Sequence, residues 1–174
     1  MKRALFLDRD GVINRRIVGG YVRSWEEFEL LPGITEALPA MHAAGWFTVL
    51  VTNQRGIALG QMSERDLLEI HERMQQELRR RCGHELDAIY YCPHEKGDAC
   101  DCRKPQPGML LDAARDNDIN LSASWMIGDS ESDIEAGRGA GCSTIRIAGA
   151  DEPTAADHHV RSLLEAWNLI AAST

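Results

Sequence analysis

Carboxylates, a hydroxyl and a lysine directly follow several short apolar runs of the sequence. Asp8 and Asp10 follow the first run in the segment FLDRDG, Thr52 ends another in VLVT, and Asp129 follows a later one in IGDS. Lys104 stands in the segment CRKPQPG, just before a helix start that prolines mark. These residue types suit phosphoryl transfer, because a carboxylate can attack phosphorus while a lysine and a divalent cation stabilise the phosphate oxygens.

Each group in this set can be given a chemical role. Asp8 and Asp129 can share Mg²⁺, which takes oxygen ligands and keeps several waters. Lys104 and Thr52 can donate to phosphate oxygens, and Asp10 can protonate a leaving oxygen and later deprotonate water. Taken singly, an Asp-x-Asp pair is also typical of a turn, and an Asp near a helix start stabilises the helix dipole. The combination favours catalysis.

A second group of ligand-forming residues lies in the segment CPHEKGDACDCRK, residues 92–104. Its three cysteines and one histidine supply the four ligands of a closed tetrahedral zinc site: Cys92, His94, Cys100 and Cys102. The spacing is tighter than in a nucleic-acid finger and includes no recognition helix, and free thiols are the alternative interpretation. We predict a structural zinc loop, residues 92–102, which positions Arg103 and Lys104.

Alternating strands and helices must position these residues. Short apolar runs predict strands at residues 4–7, 46–52, 86–91, 124–128 and 142–147, with a weaker one at 158–160. Apolar periodicity and capping residues predict helices at residues 34–44, 63–82, 107–116, 130–140 and 162–171. This order is typical of a doubly wound α/β fold with a mostly parallel sheet, in which ligands bind beyond the carboxyl ends of the strands. The remaining histidines are assigned to packing or solvated positions: His42, His71, His84, His158 and His159.

Length, charge and cysteine count limit the class of protein and its partners. The 174 residues suffice for one domain, which we assign to residues 1–174. A net charge of -8 disfavours nucleic acid, because a phosphate backbone requires clustered positive charge. The apolar stretches are too short for a signal-peptide core or a membrane span, and an odd number of cysteines argues against a disulfide framework. We expect a cytoplasmic monomer that binds a small phosphorylated molecule and neither nucleic acid nor membrane.

Four segments, FLDRDGVIN, VLVTNQ, CRKPQPG and IGDSESD, resemble in their order the four motifs of the haloacid dehalogenase superfamily of phosphatases. The resemblance implies a Rossmann-like core without a large cap domain. It further implies that Asp8 is the nucleophile, that Asp10 is the general acid and base, and that Thr52 and Lys104 hold the phosphoryl group.

The same resemblance implies a magnesium site. Mg²⁺ would be bound by the Asp8 carboxylate, the Asp10 backbone carbonyl and Asp129. Asp133 would orient Lys104 or a metal-bound water.

Zinc loops of this kind occur in two groups of the superfamily, the D-glycero-D-manno-heptose 1,7-bisphosphate 7-phosphatases and the histidinol-phosphate phosphatases. The segments INRRIVGGYVRSWEEFELLPG and TNQRGIALG resemble the heptose group, which implies removal of the 7-phosphate during synthesis of nucleotide-heptose precursors of cell-surface polysaccharides. Sugar hydroxyls or the second phosphate would then contact Gly20, Tyr21, Asn53, Arg55, Arg103 and Lys104. Histidinol-phosphate hydrolysis and a phosphate-accepting signalling domain without hydrolysis remain the alternatives.

Overall fold

A six-stranded parallel sheet forms the centre of the computed structural model, which describes residues 1–149 and 152–173. Its strands are β1 (Ala4–Leu7), β2 (Phe47–Asn53), β3 (Ala88–Cys92), β4 (Trp125–Gly128), β5 (Ser143–Ile147) and β6 (His158–Val160). The strand order is β3-β2-β1-β4-β5-β6, so the chain winds outward from β1 in both directions. The predicted doubly wound parallel sheet is confirmed, and the carboxyl ends of β2, β1 and β4 lie side by side.

The described residues form five α-helices, of which the first four connect strands and the fifth follows β6: α1 (Ile34–Ala43), α2 (Glu64–Cys82), α3 (Gly108–Asn117), α4 (Glu131–Ala140) and α5 (Leu163–Ala172). Their ends fall within one residue of the predicted ends. α2 begins with a capping box between Ser63 and Asp66, and its C-cap is Gly83, whose φ of 74° suits a residue without a side chain. Pro39 lies inside α1, where burial of the helix's apolar face offsets the lost hydrogen bond.

Both faces of the sheet are buried, which explains why its strands are nearly all apolar. In β1, Leu5 and Leu7 point to the face that α1, α2 and α5 cover, whereas Ala4 and Phe6 point to the face that α3 and α4 cover. All four side chains are completely buried. β1 is therefore held from both sides, and the residues that follow it are fixed relative to the sheet.

The segment between β1 and α1 folds over the carboxyl edge of the sheet. Within it, the structure shows one short 3-10 helix, Trp25–Glu27, in line with the prediction of no large cap domain. Val22 packs against Met62, Leu67 and Ile70 of α2 and the loop before it. Residues 16–17 and 19–22 of this segment line a cavity at that edge.

The predicted single domain spans residues 1–174, and its positions 150, 151 and 174 lie outside the described residues. Among the helices of the described chain, none combines the length and the apolar character needed to cross a membrane.

Candidate active site

The strand ends predicted to carry the chemistry meet at one cavity of about 490 Å³. Asp8, Asp10, Lys104 and Asp129 all line it. Thr52, predicted to hold the phosphoryl group, is 1% exposed and is not among the residues that line the cavity, and its hydroxyl accepts a hydrogen bond from Gln54. The adjacency of β2, β1 and β4 accounts for this convergence, because parallel strands end at the same edge.

Lys104 is a buried cation held by three oxygens. Its Nζ donates to Asp8 Oδ1 at 2.8 Å and to the Val51 carbonyl at 2.8 Å, and it lies 2.6 Å from Asp133 Oδ1. Burial lowers the pKa of Lys104, but the charges of Asp133 and Asp8 outweigh it and raise that pKa above its usual range. The side chain of Asn53 makes two hydrogen bonds to the Lys104 main chain, at 3.0 Å each. Asn53 thus helps to position Lys104, and these bonds use the amide group that was predicted to contact the sugar.

Asp133 joins the start of α4 to this cation. Its Oδ2 accepts hydrogen bonds from the Ser130 backbone N–H at 3.0 Å and from the Ser130 hydroxyl at 2.8 Å, which caps the helix. Its other oxygen faces Lys104, as the prediction that Asp133 orients Lys104 requires. Gly128 makes room for it, because a Cβ atom on Gly128 would lie 2.2 Å from the Cβ atom of Asp133.

We expect Gly128→Ala to lower the free energy of unfolding by about 1–3 kcal/mol, because the added methyl group overpacks the Asp133 site. Gly139→Ala is the matched control. Gly139 lies inside helix α4, where alanine is more stable than glycine by about 0.5–1 kcal/mol. A Cβ atom on Gly139 would lie 3.6 Å from Pro107, which is an ordinary contact distance. Urea denaturation of both variants measures the difference. An unchanged unfolding midpoint for Gly128→Ala would show that α4 can shift away from the strand.

Three carboxylates crowd one corner of the cavity. Ligand oxygens of Asp8, Asp129 and Asp133 lie within 4.8 Å of one another. Burial, followed by the charge of Asp133, raises the pKa of Asp8 to about 8 despite Lys104, and the same two causes raise the pKa of Asp129. Arg16 Nη1, 3.3 Å from Asp129 Oδ2, compensates only part of this charge. An all-oxygen donor set with excess negative charge fits a hard divalent cation such as Mg²⁺.

Asp10 is held by a network that the sequence did not reveal. Its Oδ1 accepts from Arg9 Nη2 at 3.2 Å and Asn14 Nδ2 at 3.0 Å, and its Oδ2 accepts from Gln54 Nε2 at 3.2 Å. Burial raises the pKa of Asp10, but the Arg9 charge and these hydrogen bonds together bring that pKa below its usual value. Arg9, Asn14 and Gln54 are each at most 1% exposed. Their sole sequence signal is proximity to the motif residues.

The cysteine and histidine cluster brings four ligand atoms close enough together to hold a metal ion. His94 Nδ1 lies 3.4 Å from Cys92 Sγ and 3.2 Å from Cys102 Sγ, and the Cys92 and Cys100 sulfurs are 3.9 Å apart. Around Zn²⁺, with its usual bond lengths, adjacent N and S ligands would be about 3.5–3.8 Å apart. The four predicted ligands are close enough together to fit zinc, and they would occupy all four positions of a tetrahedral site.

Basic side chains form the outer rim of the cavity: Arg16, Arg55, Lys96 and Arg103. Arg55 Nε donates to Glu95 at 2.5 Å, and Arg103 Nη1 donates to the His94 carbonyl at 3.2 Å, so the loop of residues 92–102 orients both arginines. The predicted contacts Gly20, Tyr21 and Asn53 also line the cavity. The sequence analysis did not predict Arg16 and Lys96 as site residues, although both lie in segments that it quoted. Both residues are in loops, where sequence spacing does not show which way a side chain points.

The chain is similar in sequence to a family profile and to curated proteins. Residues 101–166 match a family profile described as HAD-hydrolase-like. The chain is 43% identical over 167 residues to D-glycero-alpha-D-manno-heptose-1,7-bisphosphate 7-phosphatase of Mycobacterium tuberculosis, covering 92% of this chain and 87% of the relative. It is 45% identical over 163 residues to D-glycero-beta-D-manno-heptose-1,7-bisphosphate 7-phosphatase of Pasteurella multocida, covering 90% and 87%.

A solved structure resembles the whole chain. It is D,D-heptose 1,7-bisphosphate phosphatase from B. bronchiseptica, complexed with magnesium and phosphate. The TM-score is 0.88 at 34% sequence identity, and 100% of each chain is covered.

Proposed function

The chain belongs to the haloacid dehalogenase-like family of D-glycero-D-manno-heptose-1,7-bisphosphate 7-phosphatases, and we propose that it hydrolyses the 7-phosphate of such a heptose bisphosphate. The observation that carries the proposal is the buried ion pair of Lys104 and Asp8 at the base of an open cavity with a basic rim. This arrangement sets a nucleophile beside a fixed cation, with space for a phosphorylated sugar above them.

The reaction needs two proton-coupled steps. Asp10, which is ionised in the free protein because its pKa is lowered, first takes up a proton from solvent. The Asp8 carboxylate attacks phosphorus, and as the bond from phosphorus to the sugar oxygen breaks, Asp10 gives that oxygen this proton. Water then attacks the aspartyl-phosphate, Asp10 takes a proton from the water, and Asp8 is regenerated with release of inorganic phosphate. Lys104 lies within hydrogen-bond distance of Asp8, where it can stabilise the negative oxygens of the phosphoryl group.

We assign both metals by the chemistry of their ligands. Asp8, Asp129 and the Asp10 carbonyl would hold Mg²⁺, which when bound supplies the positive charge that the phosphate oxygens require. The magnesium in the B. bronchiseptica relative supports this assignment. The four-residue cysteine and histidine cluster would hold Zn²⁺ as a structural ion, because no ligand position would be left for chemistry.

The rim favours a substrate with a second phosphate. Arg16, Arg55, Lys96 and Arg103 surround the mouth of the cavity, and guanidinium groups can bind phosphate oxygens through paired hydrogen bonds. Histidinol phosphate carries an ammonium group instead, which this rim would repel. The rim therefore supports the bisphosphate over the alternative substrate.

Phosphate release from a substrate panel tests the proposed function. The panel contains both anomers of the heptose 1,7-bisphosphate, the heptose 7-phosphate and histidinol phosphate. We expect kcat/KM to be highest for a bisphosphate anomer and lower for the 7-phosphate. A preference for histidinol phosphate would contradict the proposed substrate, and a phosphorylated protein that persists without turnover would favour a signalling role.

Lys96→Met should lower kcat/KM for the bisphosphate by about tenfold, because a charge-assisted hydrogen bond to the second phosphate would be lost. The 7-phosphate should lose little, since it has no second phosphate to bind. Lys2→Met is the matched control: it removes the same charge beside Phe47, away from the cavity. Equal losses for both substrates would place Lys96 near the reacting phosphate instead.

We also propose that one copy of the chain, acting in the cytoplasm, suffices for activity. Every side chain used in the two steps comes from the same copy. The cytoplasmic monomer itself stays a prediction.

A further inference from the structure

The guanidinium of Arg9 is completely buried beneath the cavity, between Asp10 and helix α2. Its Nη2 lies 3.2 Å from Asp10 Oδ1, and its Nη1 lies 3.3 Å from His71 Nε2. Its Nε has no hydrogen-bond partner among the described residues. Two contacts therefore set the orientation of this cation, and one of them is a histidine that sequence reasoning had assigned to packing.

His71 accepts the hydrogen bond from Arg9. A guanidinium can only donate, so Nε2 must be the unprotonated nitrogen and the hydrogen must be on Nδ1. Burial and the neighbouring Arg9 charge lower the pKa of His71 to about 3, so the ring remains neutral. His71 belongs to α2 and is 3% exposed, and it is not among the residues that line the cavity. Its contact with the site passes through Arg9.

The two oxygens of Asp10 are used unequally. Oδ1 accepts from both Arg9 and Asn14, which fills the two lone-pair directions of a carboxylate oxygen. Oδ2 accepts from Gln54 alone, so one direction remains available. The Asp10 side chain is 26% exposed and lines the cavity, so this remaining direction can serve a bound ester.

We propose that Arg9 and His71 are positioning residues that lock the Asp10 carboxyl group, so that Oδ2 is the atom that exchanges protons with the substrate. In the first step, the proton on Oδ2 moves to the sugar oxygen as the bond from that oxygen to phosphorus breaks. In the second step, Oδ2 takes a proton from the attacking water. This inference rests on the proposed function, in which Asp10 is the general acid and base.

Loss of the His71 acceptor should impair proton transfer without altering substrate contacts. Without His71, Arg9 Nη1 loses its acceptor, and Arg9 Nε has no partner among the described residues either. The contact with Asp10 then holds the guanidinium alone, so the group that donates to Asp10 Oδ1 is no longer fixed in place. A general acid that is misplaced by about 1 Å can lose about 100-fold in rate. The defect should be largest for esters whose leaving oxygen needs a proton.

The test compares His71→Leu, which removes the acceptor, with His71→Gln, whose amide oxygen can replace it. The measured quantity is kcat/KM, which reports the steps up to phosphoryl transfer, for the sugar phosphate and for a nitrophenyl phosphate whose leaving group needs no acid. We expect His71→Leu to lose on the order of 10- to 100-fold with the sugar phosphate and about twofold or less with the aryl ester. His71→Gln should restore most of the sugar-phosphate activity.

Asp10→Asn, assayed with the same two esters, separates the inference from the proposed function. If Asp10→Asn shows no selective loss with the sugar phosphate, the acid role of Asp10 fails, and the inference fails with it. If Asp10→Asn shows that selectivity but His71→Leu lowers both esters equally or neither, only the positioning role is overturned. A His71→Gln variant as defective as His71→Leu would overturn it too. Should His71→Leu not fold, His71→Met takes its place in the same comparison.

Discussion

Replacing Asp8 with asparagine should abolish phosphate release, with kcat/KM falling on the order of 10⁴-fold or more. A carboxamide cannot attack phosphorus to give an aspartyl-phosphate, and it also removes one of the negative oxygens that would bind Mg²⁺. The side chain of Asp8 is buried, and asparagine has nearly the same volume, so the fold should persist. Mass spectrometry of acid-quenched reactions should detect a phosphorylated adduct in the unmodified protein and none in the variant.

Asp112→Asn provides the control for this experiment. Asp112 is half-exposed on helix α3 and pairs with Arg115 within the same helix, so its loss changes net charge equally without reaching the cavity. Its kcat/KM should stay within about twofold of the unmodified protein, since exposed ion pairs contribute little. Full activity of Asp8→Asn with both metals bound would show that another group is the nucleophile.

The parallel sheet and the positions of its strands along the chain were predictable because its apolar runs are short and continuous. Both faces of β1 are buried, so its residues Ala4–Leu7 carry no polar side chain, and Asp8 marks its end unambiguously. A parallel sheet also brings the ends of its strands to one edge. The meeting of Asp8, Asp10 and Asp129 at one cavity follows from those two facts.

The remaining features of the site depend on directions that spacing does not specify. The contact of His71 with Arg9 depends on how α2 is rotated against the sheet, and periodicity alone cannot distinguish a packed histidine from a hydrogen-bonded one. The buried hydroxyl of Thr52 accepts a hydrogen bond from the Gln54 amide, a partner that strand periodicity does not predict. Asn53 likewise binds the Lys104 main chain, a contact between residues far apart in sequence.

The proposed zinc loop, residues 92–102, leads directly into Arg103 and Lys104. Between Cys92 and α3 the described chain contains no helix or strand, so little regular hydrogen bonding holds residues 93–107 in place. Arg103 and Lys104 directly follow the last ligand of the cluster, Cys102. Because structural zinc contributes on the order of 10–16 kcal/mol to the folding of small sites, its loss should release this whole segment.

Cys100→Ser should therefore reduce bound zinc to nearly none and lower kcat on the order of 100-fold, through misplacement of Arg103 and Lys104. Cys82→Ser is the matched control, because its thiol lies outside the cluster and donates to the Leu78 carbonyl at 3.1 Å, a bond that a hydroxyl can also make. Elemental analysis gives the zinc content, and proteolysis of residues 93–101 reports loosening of the loop. Zinc loss with unchanged kcat would mean that the ion pairs of Lys104 with Asp8 and Asp133 are enough to hold the Lys104 side chain in place without zinc.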